Sequence, residues 1–136
     1  MTNTERLEIL KDRFAVCEKV FAEKGDSYAG KQGDALSNFK IVAELVGITP
    51  YQVQLVYFLK HVLSITNAVK DNPNHPVDAS EGNDGRVTDV INYAILFECL
   101  YKERAKIDRL KAEVMDDFNI TNHIEDWMIT NKIIEV

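Results

Sequence analysis

The residues best suited to chemistry lie at the start of a long apolar stretch that covers residues 80–101. Arg86, Asp89 and Asn92 follow one another at steps of three residues, and Tyr93 adjoins them. On a helix these side chains share one broad face, because residues three and four apart are neighbours there. Charged and amide groups lose hydration on burial and therefore need partners. They either hold neighbouring helices together or line a pocket that a ligand fills.

A second set of polar residues precedes this stretch. Lys60, His61 and Ser64 lie on the preceding element, and Glu81 and Asp84 lie in the loop between the two. Antiparallel helices joined by a loop would bring these groups close to the start of the next helix. A phosphate needs cations, and its magnesium ion takes hard oxygen ligands and keeps several waters. This combination of cations and acids predicts a phosphate-binding site.

Each of these residues also has a purely structural interpretation. Arg86 and Asp89, three residues apart, would form a surface salt bridge worth a few tenths of a kcal/mol. Asn92 would make an interhelical hydrogen bond, and His61, although suited to be a general base near neutral pH, would pack as a core residue. The aromatic side chains that would either stack on a base or fill the core are Tyr28, Phe39, Tyr57 and Trp127.

The elements that position these residues are predicted to be helices. Apolar residues recur at steps of three and four, and no segment alternates long enough to build a sheet. Capping boxes begin the first helix at Thr2 and the third at Thr49. The segment 25–34 contains three glycines and is predicted to be an irregular loop, which could act as a mobile lid. The predicted helices span residues 2–25, 36–46, 50–69, 86–117 and 119–136, the last capped by Thr121 or Asn122.

These helices predict an all-α bundle of four or five helices that forms a single domain over residues 1–136. The long helix near residues 86–117 is apolar on almost every side in its first half, a pattern typical of a buried helix. Cys17 and Cys99 both fall within apolar stripes and are predicted to be reduced thiols that fill the core.

Composition limits the class of protein and of partner. The chain has 136 residues, of which 46% are apolar and 28% charged, as in ordinary soluble proteins. No apolar run approaches the ~20 residues of a membrane span, and the N-terminal residues lack the pattern of a signal peptide. We therefore expect a cytoplasmic protein without membrane attachment. A formal net charge of −6 argues against general nucleic-acid binding but leaves room for a small phosphorylated ligand.

Four motifs, which together span roughly residues 20–100, resemble those of a known group of proteins. They are K-G-D-S-Y from Lys24, S-N-F-K from Ser37, the T-P start of the third helix with its Lys60-His61 pair, and S-E-x-x-x-G-R-x-x-D-x-x-N-Y over residues 80–93. The last is the most specific. In these motifs the sequence resembles small phage-encoded proteins that look like relatives of the MazG-type all-α nucleoside triphosphate pyrophosphohydrolases.

This resemblance implies a MazG-like helical bundle that is usually at least dimeric and that holds Mg²⁺ or Mn²⁺ through acids on two facing helices. The superfamily has an E-x-x-E box on one helix and an E-x-x-D box on the next. Here the boxes appear as K-H-V-L from Lys60 and R-V-T-D from Arg86, so Asp89 alone keeps its carboxylate. Glu81 and Asp84 in the loop are then the only nearby substitutes, and the predicted metal ligands are Glu81 and Asp89.

Two functional hypotheses of different class follow. The first is a nucleotide pyrophosphohydrolase that cleaves a (d)NTP or a related nucleotide, in which Asp89 and Glu81 hold the ion and His61 or an acid orients the attacking water. The second is a non-catalytic protein that sequesters a host nucleotide signal, in the host cytoplasm if the chain is phage-encoded. In both, the residues expected to bind the nucleotide or its phosphates are Lys60, Arg86, Asn92, Tyr93, Ser64 and Asn38. A third hypothesis is a helical homo-oligomer whose polar residues only specify packing.

Overall fold

The fold is all-α, as the sequence predicts. The computed structural model describes residues 1–29 and 33–130, and no strand occurs among them. The four helices are α1 (Asn3–Ala29), α2 (Ser37–Val46), α3 (Pro50–Asp71) and α4 (Gly82–Thr130). The chain divides into two compact units, Met1–Leu100 and Tyr101–Val136. The first unit contains α1 to α3 and the start of α4, and the second contains the rest of α4. The prediction of a single domain stays a prediction.

Local signals fix the helix starts that the sequence predicts. The Thr49 hydroxyl accepts from the Gln52 amide at 3.3 Å, and the Gln52 side chain accepts from the Thr49 amide at 2.8 Å. This reciprocal capping box begins α3. The same arrangement between Thr2 and Glu5 begins α1. At the C-terminal end of α2, Gly47 adopts the left-handed conformation (φ 71°), which a glycine reaches without steric cost.

Several predicted helix boundaries are wrong. The first helix does not end near Gly25 but continues to Ala29, so the predicted loop at 25–34 is helical in its first half. A single glycine costs only about 1 kcal/mol inside a helix, and α1 has 27 residues. The lid interpretation concerned this same segment, of which residues 30–32 lie outside the described part of the chain.

The prediction of a separate last helix from residue 119 is also wrong for the residues up to Thr130. Helix α4 continues unbroken from Gly82 over 49 residues. The hydroxyl of Thr121 donates to the carbonyl of Asp117 at 2.9 Å. That bond joins residues four apart within a helix, so this threonine does not cap a new one. The prediction for residues 131–136 lies outside the described residues.

The core of the first unit lies where α2, α3 and α4 meet. Phe39 on α2 is the most buried large side chain, with 1% of its surface exposed. It packs against Tyr57 of α3 and Tyr93 of α4, with ring centroids 6.1 and 6.4 Å away. The remaining buried members of this cluster are Leu36, Ala43, Val53 and Leu100.

Helices α3 and α4 run antiparallel within the first unit. The Tyr51 hydroxyl donates to the Leu100 carbonyl at 3.2 Å, and the Gln54 side chain donates to the Tyr93 carbonyl at 2.7 Å. Two turns further along α3, His61 meets the first turns of α4. This register brings the polar residues of the two helices together, as the sequence predicts.

The chain by itself does not bury the apolar first half of α4 on all sides. Val87, Ile95 and Phe97 remain between 37% and 50% exposed. The prediction of all-round burial is therefore wrong for an isolated chain. Among the described helices, none is by itself long and apolar enough to cross a membrane; only α2 and α3 together, bent by 105°, reach that length and composition.

Candidate functional site

The start of α4 is held by Asp78, a residue of the preceding loop. One of its carboxylate oxygens accepts from the amide and hydroxyl of Ser80, at 3.0 and 2.7 Å, and from the amide of Glu81 at 2.9 Å. The other accepts from the hydroxyl of Ser64 and from Nε of Arg86, the latter at 3.0 Å. These bonds, led by the one from Ser64, hold the pKa of Asp78 far below its usual range. Because this turn is fixed, α4 begins four residues earlier than predicted.

All three nitrogen atoms of the Arg86 guanidinium contact polar partners. Its Nε donates to Asp78, and its Nη2 donates to the Ser80 hydroxyl at 2.7 Å. Its Nη1 lies 3.1 Å from Glu81 Oε2 and 3.1 Å from His61 Nδ1. With 6% of its surface exposed, the side chain is buried, and a buried cation with this many partners has a fixed position.

His61 is shared between a cation and an acid. Its Nδ1 atom, 3.1 Å from Arg86 Nη1, also lies 3.2 Å from Asp89 Oδ2. A guanidinium can only donate and a carboxylate can only accept, so each neutral tautomer satisfies one of the two contacts. Burial lowers the pKa of His61; Asp89 opposes this shift, whereas Arg86 and Lys60 reinforce it. His61 is therefore neutral near pH 7.

An open groove of about 700 Å³ lies above this network, between α1, α3 and the first turns of α4. Its volume falls within the range of small-molecule sites. The polar and aromatic groups that line it include three cations, three acids and two tyrosines: Arg13, Lys24, Lys60, Glu81, Asp84, Asp89, Tyr28 and Tyr93.

The three cations of the groove differ in how firmly they are held. Arg13 donates to Asp84 Oδ1 at 2.7 Å and to the Thr88 hydroxyl at 2.9 Å, so it is fixed. Lys24 lies 3.4 Å from Asp89 Oδ1, and its side chain remains 55% exposed, so this pair is loose. Lys60 is exposed and makes no ion pair within the described residues. Of the three cations, Lys60 is therefore the one most available to pair with an anionic ligand.

The aromatic wall of the groove is made by Tyr93 and Tyr28. Tyr93 stacks on the ring of His61 at a centroid distance of 5.1 Å. Burial raises the pKa of Tyr93 to about 12, so its hydroxyl stays a hydrogen-bond donor. Tyr28 is 50% exposed. Of the other aromatics considered for stacking, Phe39 and Tyr57 pack in the core, and the side chain of Trp127 lies outside the described part.

One group of side chains has the composition of a metal site. Single ligand atoms of His61, Glu81 and Asp89 all lie within 4.8 Å of one another. However, Arg86 Nη1 lies at hydrogen-bond distance from both His61 and Glu81, and it already stands between them as a cation. An ion bound to the same two atoms would place a second positive charge next to this guanidinium, which repels it. The residues present therefore fit the guanidinium of Arg86 and do not fit a metal ion beside it.

The structure brings together one part of the residue set that the sequence singles out. The residues of that set that line the groove are Lys60, His61, Glu81, Asp84, Asp89, Tyr28 and Tyr93.

The others lie elsewhere. Arg86 lies beneath the groove, and Ser64 bonds to Asp78. Asn92 lines a different, apolar groove, and its buried Oδ1, like that of Asn38 on α2, has no hydrogen-bond partner in the described chain.

Sequence reasoning missed Asp78 and the two cations of α1. The pattern D-A-S-E at residues 78–81 has an N-cap residue followed three positions later by Glu, which is a helix-start signal. Arg13 and Lys24 lie four residues before and seven after the buried Cys17, at helical steps along the inner side of α1. Two cations on the inner side of a helix were the sequence signal that could have predicted their part in the site.

Comparison of the chain with protein-family models, with curated proteins and with solved structures finds no match.

Proposed function

We propose that this protein binds a phosphorylated nucleotide in the groove between α1, α3 and α4, and that binding does not require a divalent metal ion. The observation that carries the proposal is Lys60, an exposed cation without an ion pair in the described structure, at the edge of a groove with two tyrosines. One nucleotide needs only a few cations at its phosphates, whatever the net charge of the chain.

The phosphate end of the ligand would lie between Lys60 and Lys24. The Lys24 side chain is 55% exposed and its contact with Asp89 is long, at 3.4 Å, so its ammonium group can turn toward a phosphate oxygen. The buried Asp89 then keeps its contact with His61 at 3.2 Å. A hydrogen bond from an ammonium group to a phosphate contributes about 1.5–3 kcal/mol. Arg13 adds a fixed positive charge in the same groove.

The base would lie against Tyr28 and Tyr93. Stacking of a base on an aromatic side chain is worth about 1–3 kcal/mol and does not depend strongly on which base is present. Tyr93 already stacks on His61 and packs against Phe39 and Tyr57, so it offers a ligand its edge and hydroxyl in a fixed position. The ring face open for stacking is that of Tyr28, which is 50% exposed.

The absence of a metal requirement follows from Arg86. Where the resembled family has a glutamate, this chain has a guanidinium that neutralises Glu81 and contacts His61. Its four partners fix it in that position. We therefore expect the ligand to be bound and released unchanged.

The test is a thermal-shift screen of the full chain with nucleoside mono-, di- and triphosphates, each with Mg²⁺ and with EDTA, followed by chromatography of the recovered ligand. At least one nucleotide should raise the Tm equally under both conditions and be recovered intact. In Lys60→Gln the affinity for that nucleotide should fall about tenfold, since one charged hydrogen bond is lost.

Lys70→Gln is the matched control, because Lys70 is an exposed lysine on the same helix that does not line the groove. Its affinity should equal that of the wild type. A screen in which no nucleotide raises the Tm, or a Lys60→Gln variant with undiminished affinity, would contradict the proposal.

A metal-dependent pyrophosphohydrolase is the second candidate, and the grouping of His61, Glu81 and Asp89 favours it. It requires Arg86 to leave its present position. The same experiment separates the two candidates: release of pyrophosphate that EDTA abolishes, and that Asp89→Ala loses while nucleotide still binds, would establish the enzyme and refute the metal-independent binder.

A further inference from the structure

A second groove lies between α1 and α4 and shares no lining residue with the nucleotide groove. Its volume is about 400 Å³, near the lower end of the range for small-molecule sites. Both helices line it with apolar side chains, among them Phe14, Phe21 and Ile95, and its two polar members are Glu18 and Asn92. We call it the Asn92 groove.

The side chain of Asn92 is the feature of this groove that packing does not explain. It is 6% exposed, and its Oδ1 is buried without a hydrogen-bond partner in the described chain. Cys17, the other buried residue of the groove, supplies no donor, because its thiol faces the carbonyl of Thr88 at 4.0 Å. A buried amide without a partner destabilises a folded chain. A ligand that supplies the missing partner therefore gains more than apolar contact from this groove.

The amide of Asn92 can present either of its ends to a ligand. Rotation about χ2 exchanges the oxygen, which accepts hydrogen bonds, and the nitrogen, which donates them. No hydrogen bond to this side chain occurs among the residues that the structure describes, so the rotation breaks none. The group that best complements a free amide is a second amide, because it donates and accepts at once.

The charge at the groove restricts the ligand further. Glu18 is exposed and forms no ion pair within the described ranges, so its carboxylate repels an anion that enters the groove. The net charge of −6 acts in the same direction. A cation would lose its hydration against the apolar walls. The groove therefore favours an uncharged molecule.

We propose that the Asn92 groove binds a small uncharged aromatic molecule that carries a carboxamide group. The ring packs against Phe14 and Phe21, and the carboxamide pairs with the amide of Asn92. The two phenylalanines lie seven residues apart, two turns along the same side of α1, and aromatic rings pack favourably against one another. This ligand has no phosphate, and its binding does not depend on whether a nucleotide occupies the other groove.

The test is an NMR titration of the ¹⁵N-labelled full chain with benzamide, benzoate and toluene, which share one ring and differ in the group attached to it. Benzamide should shift the side-chain amide signal of Asn92 and the backbone signals of the groove. Its Kd should be about tenfold lower than that of toluene, since a net hydrogen bond is gained. Benzamide that shifts no groove signal, or that binds no more tightly than toluene, would overturn the proposal.

Asn92→Leu tests the role of the amide. Leucine has a similar size and suits apolar walls, so the Tm should equal or exceed that of the wild type, and benzamide should lose its advantage over toluene. Asn67→Leu is the matched control, because Asn67 is an exposed asparagine on α3 that does not line this groove; it should keep the advantage. The proposal is wrong if Asn92→Leu keeps the advantage, if Asn67→Leu loses it, or if Asn92→Leu strongly lowers the Tm, which would reveal a structural amide.

Glu18→Gln tests the choice of an uncharged ligand. Removing the carboxylate should lower the Kd of benzoate by at least about threefold and leave that of benzamide unchanged. Glu8→Gln removes an exposed carboxylate of the same helix that does not line the groove, and its affinities should match those of the wild type. Benzoate that binds the wild type as tightly as benzamide does, or equally to the wild type and Glu18→Gln, would refute this choice.

Discussion

At the scale of single residues, Arg86 determines what the site can do. A buried guanidinium needs anions around it, and Asp78 and Glu81 supply them while Ser80 accepts the remaining donor. Because the same group also contacts His61, it sets the charge of the whole floor of the groove. Arg86 supplies the positive charge that these acids would otherwise take from a metal ion. For this reason the proposed function does not include a metal ion.

The charge state of His61 leads to a prediction about pH. Its pKa in the folded chain is lowered from 6.5, first by burial. The unfolded state therefore binds a proton more readily than the folded state. Unfolding free energy should be fully retained above about pH 6.5 and should fall as the pH drops through that value. His61→Gln should lose this part of the pH dependence.

Urea unfolding at pH 7.5, 6.5 and 5.5 measures this effect. The exposed His75, whose side chain makes no hydrogen bond or ion pair in the described structure, provides the control: His75→Gln should follow the wild-type curve. A His61→Gln variant with the same loss between pH 7.5 and 5.5 as the wild type would show that another group carries the dependence.

Half of the site could be predicted from the sequence, and the reason is spacing. Lys60 and His61 on α3, and Asp89 and Tyr93 on α4, lie on facing sides of two antiparallel helices joined by one loop, so their proximity follows from the order of elements. Lys24 is 65 residues from Asp89 in the chain. Nothing local ties α1 to α4, and so its contribution was missed.

At the scale of elements, local chemistry determines where helices begin better than where they end. Capping boxes at Thr2 and Thr49 were readable because they satisfy amides that the helix itself cannot. The continuation of α1 past Gly25 and of α4 past Asn119 was not, since both segments contain weak helix formers that a long helix tolerates. The start of α4 was missed because Gly82 and Gly85 lie in its first turn, and glycine is a poor helix former.

The packing of α2 against α3 and α4 gives the prediction at this scale. Phe39→Ala should destabilise the chain by about 3–5 kcal/mol, because the phenyl ring fills the space between Tyr57 and Tyr93. Since Tyr93 is part of the groove, nucleotide affinity should fall too. Chemical denaturation and the thermal-shift assay measure the two effects.

Ile41→Ala is the matched control on the same helix, where the side chain is 55% exposed. It should change the free energy of unfolding by less than about 1 kcal/mol. Equal losses in the two variants would mean that α2 is not anchored through Phe39.

At the scale of the whole molecule, the fold class followed from periodicity alone, but the amount of exposed apolar surface did not. An apolar residue on a helix predicts burial without saying whether the covering surface belongs to the same chain or to another one. That ambiguity explains why the first half of α4 was expected to be a core helix. In the isolated chain, Val87, Ile95 and Phe97 of this helix remain partly exposed.

The division into two units yields the last prediction. Every residue that lines the nucleotide groove lies between Arg13 and Tyr93, and therefore within the first unit. Ending the chain after Asp117 should leave the affinity for the nucleotide unchanged, as measured by titration calorimetry with the ligand found in the screen. Lys60→Gln in the shortened chain should lose affinity as it does in the full chain. Weaker binding by a shortened chain that keeps its helical circular dichroism would show that residues 118–136 take part in forming the site.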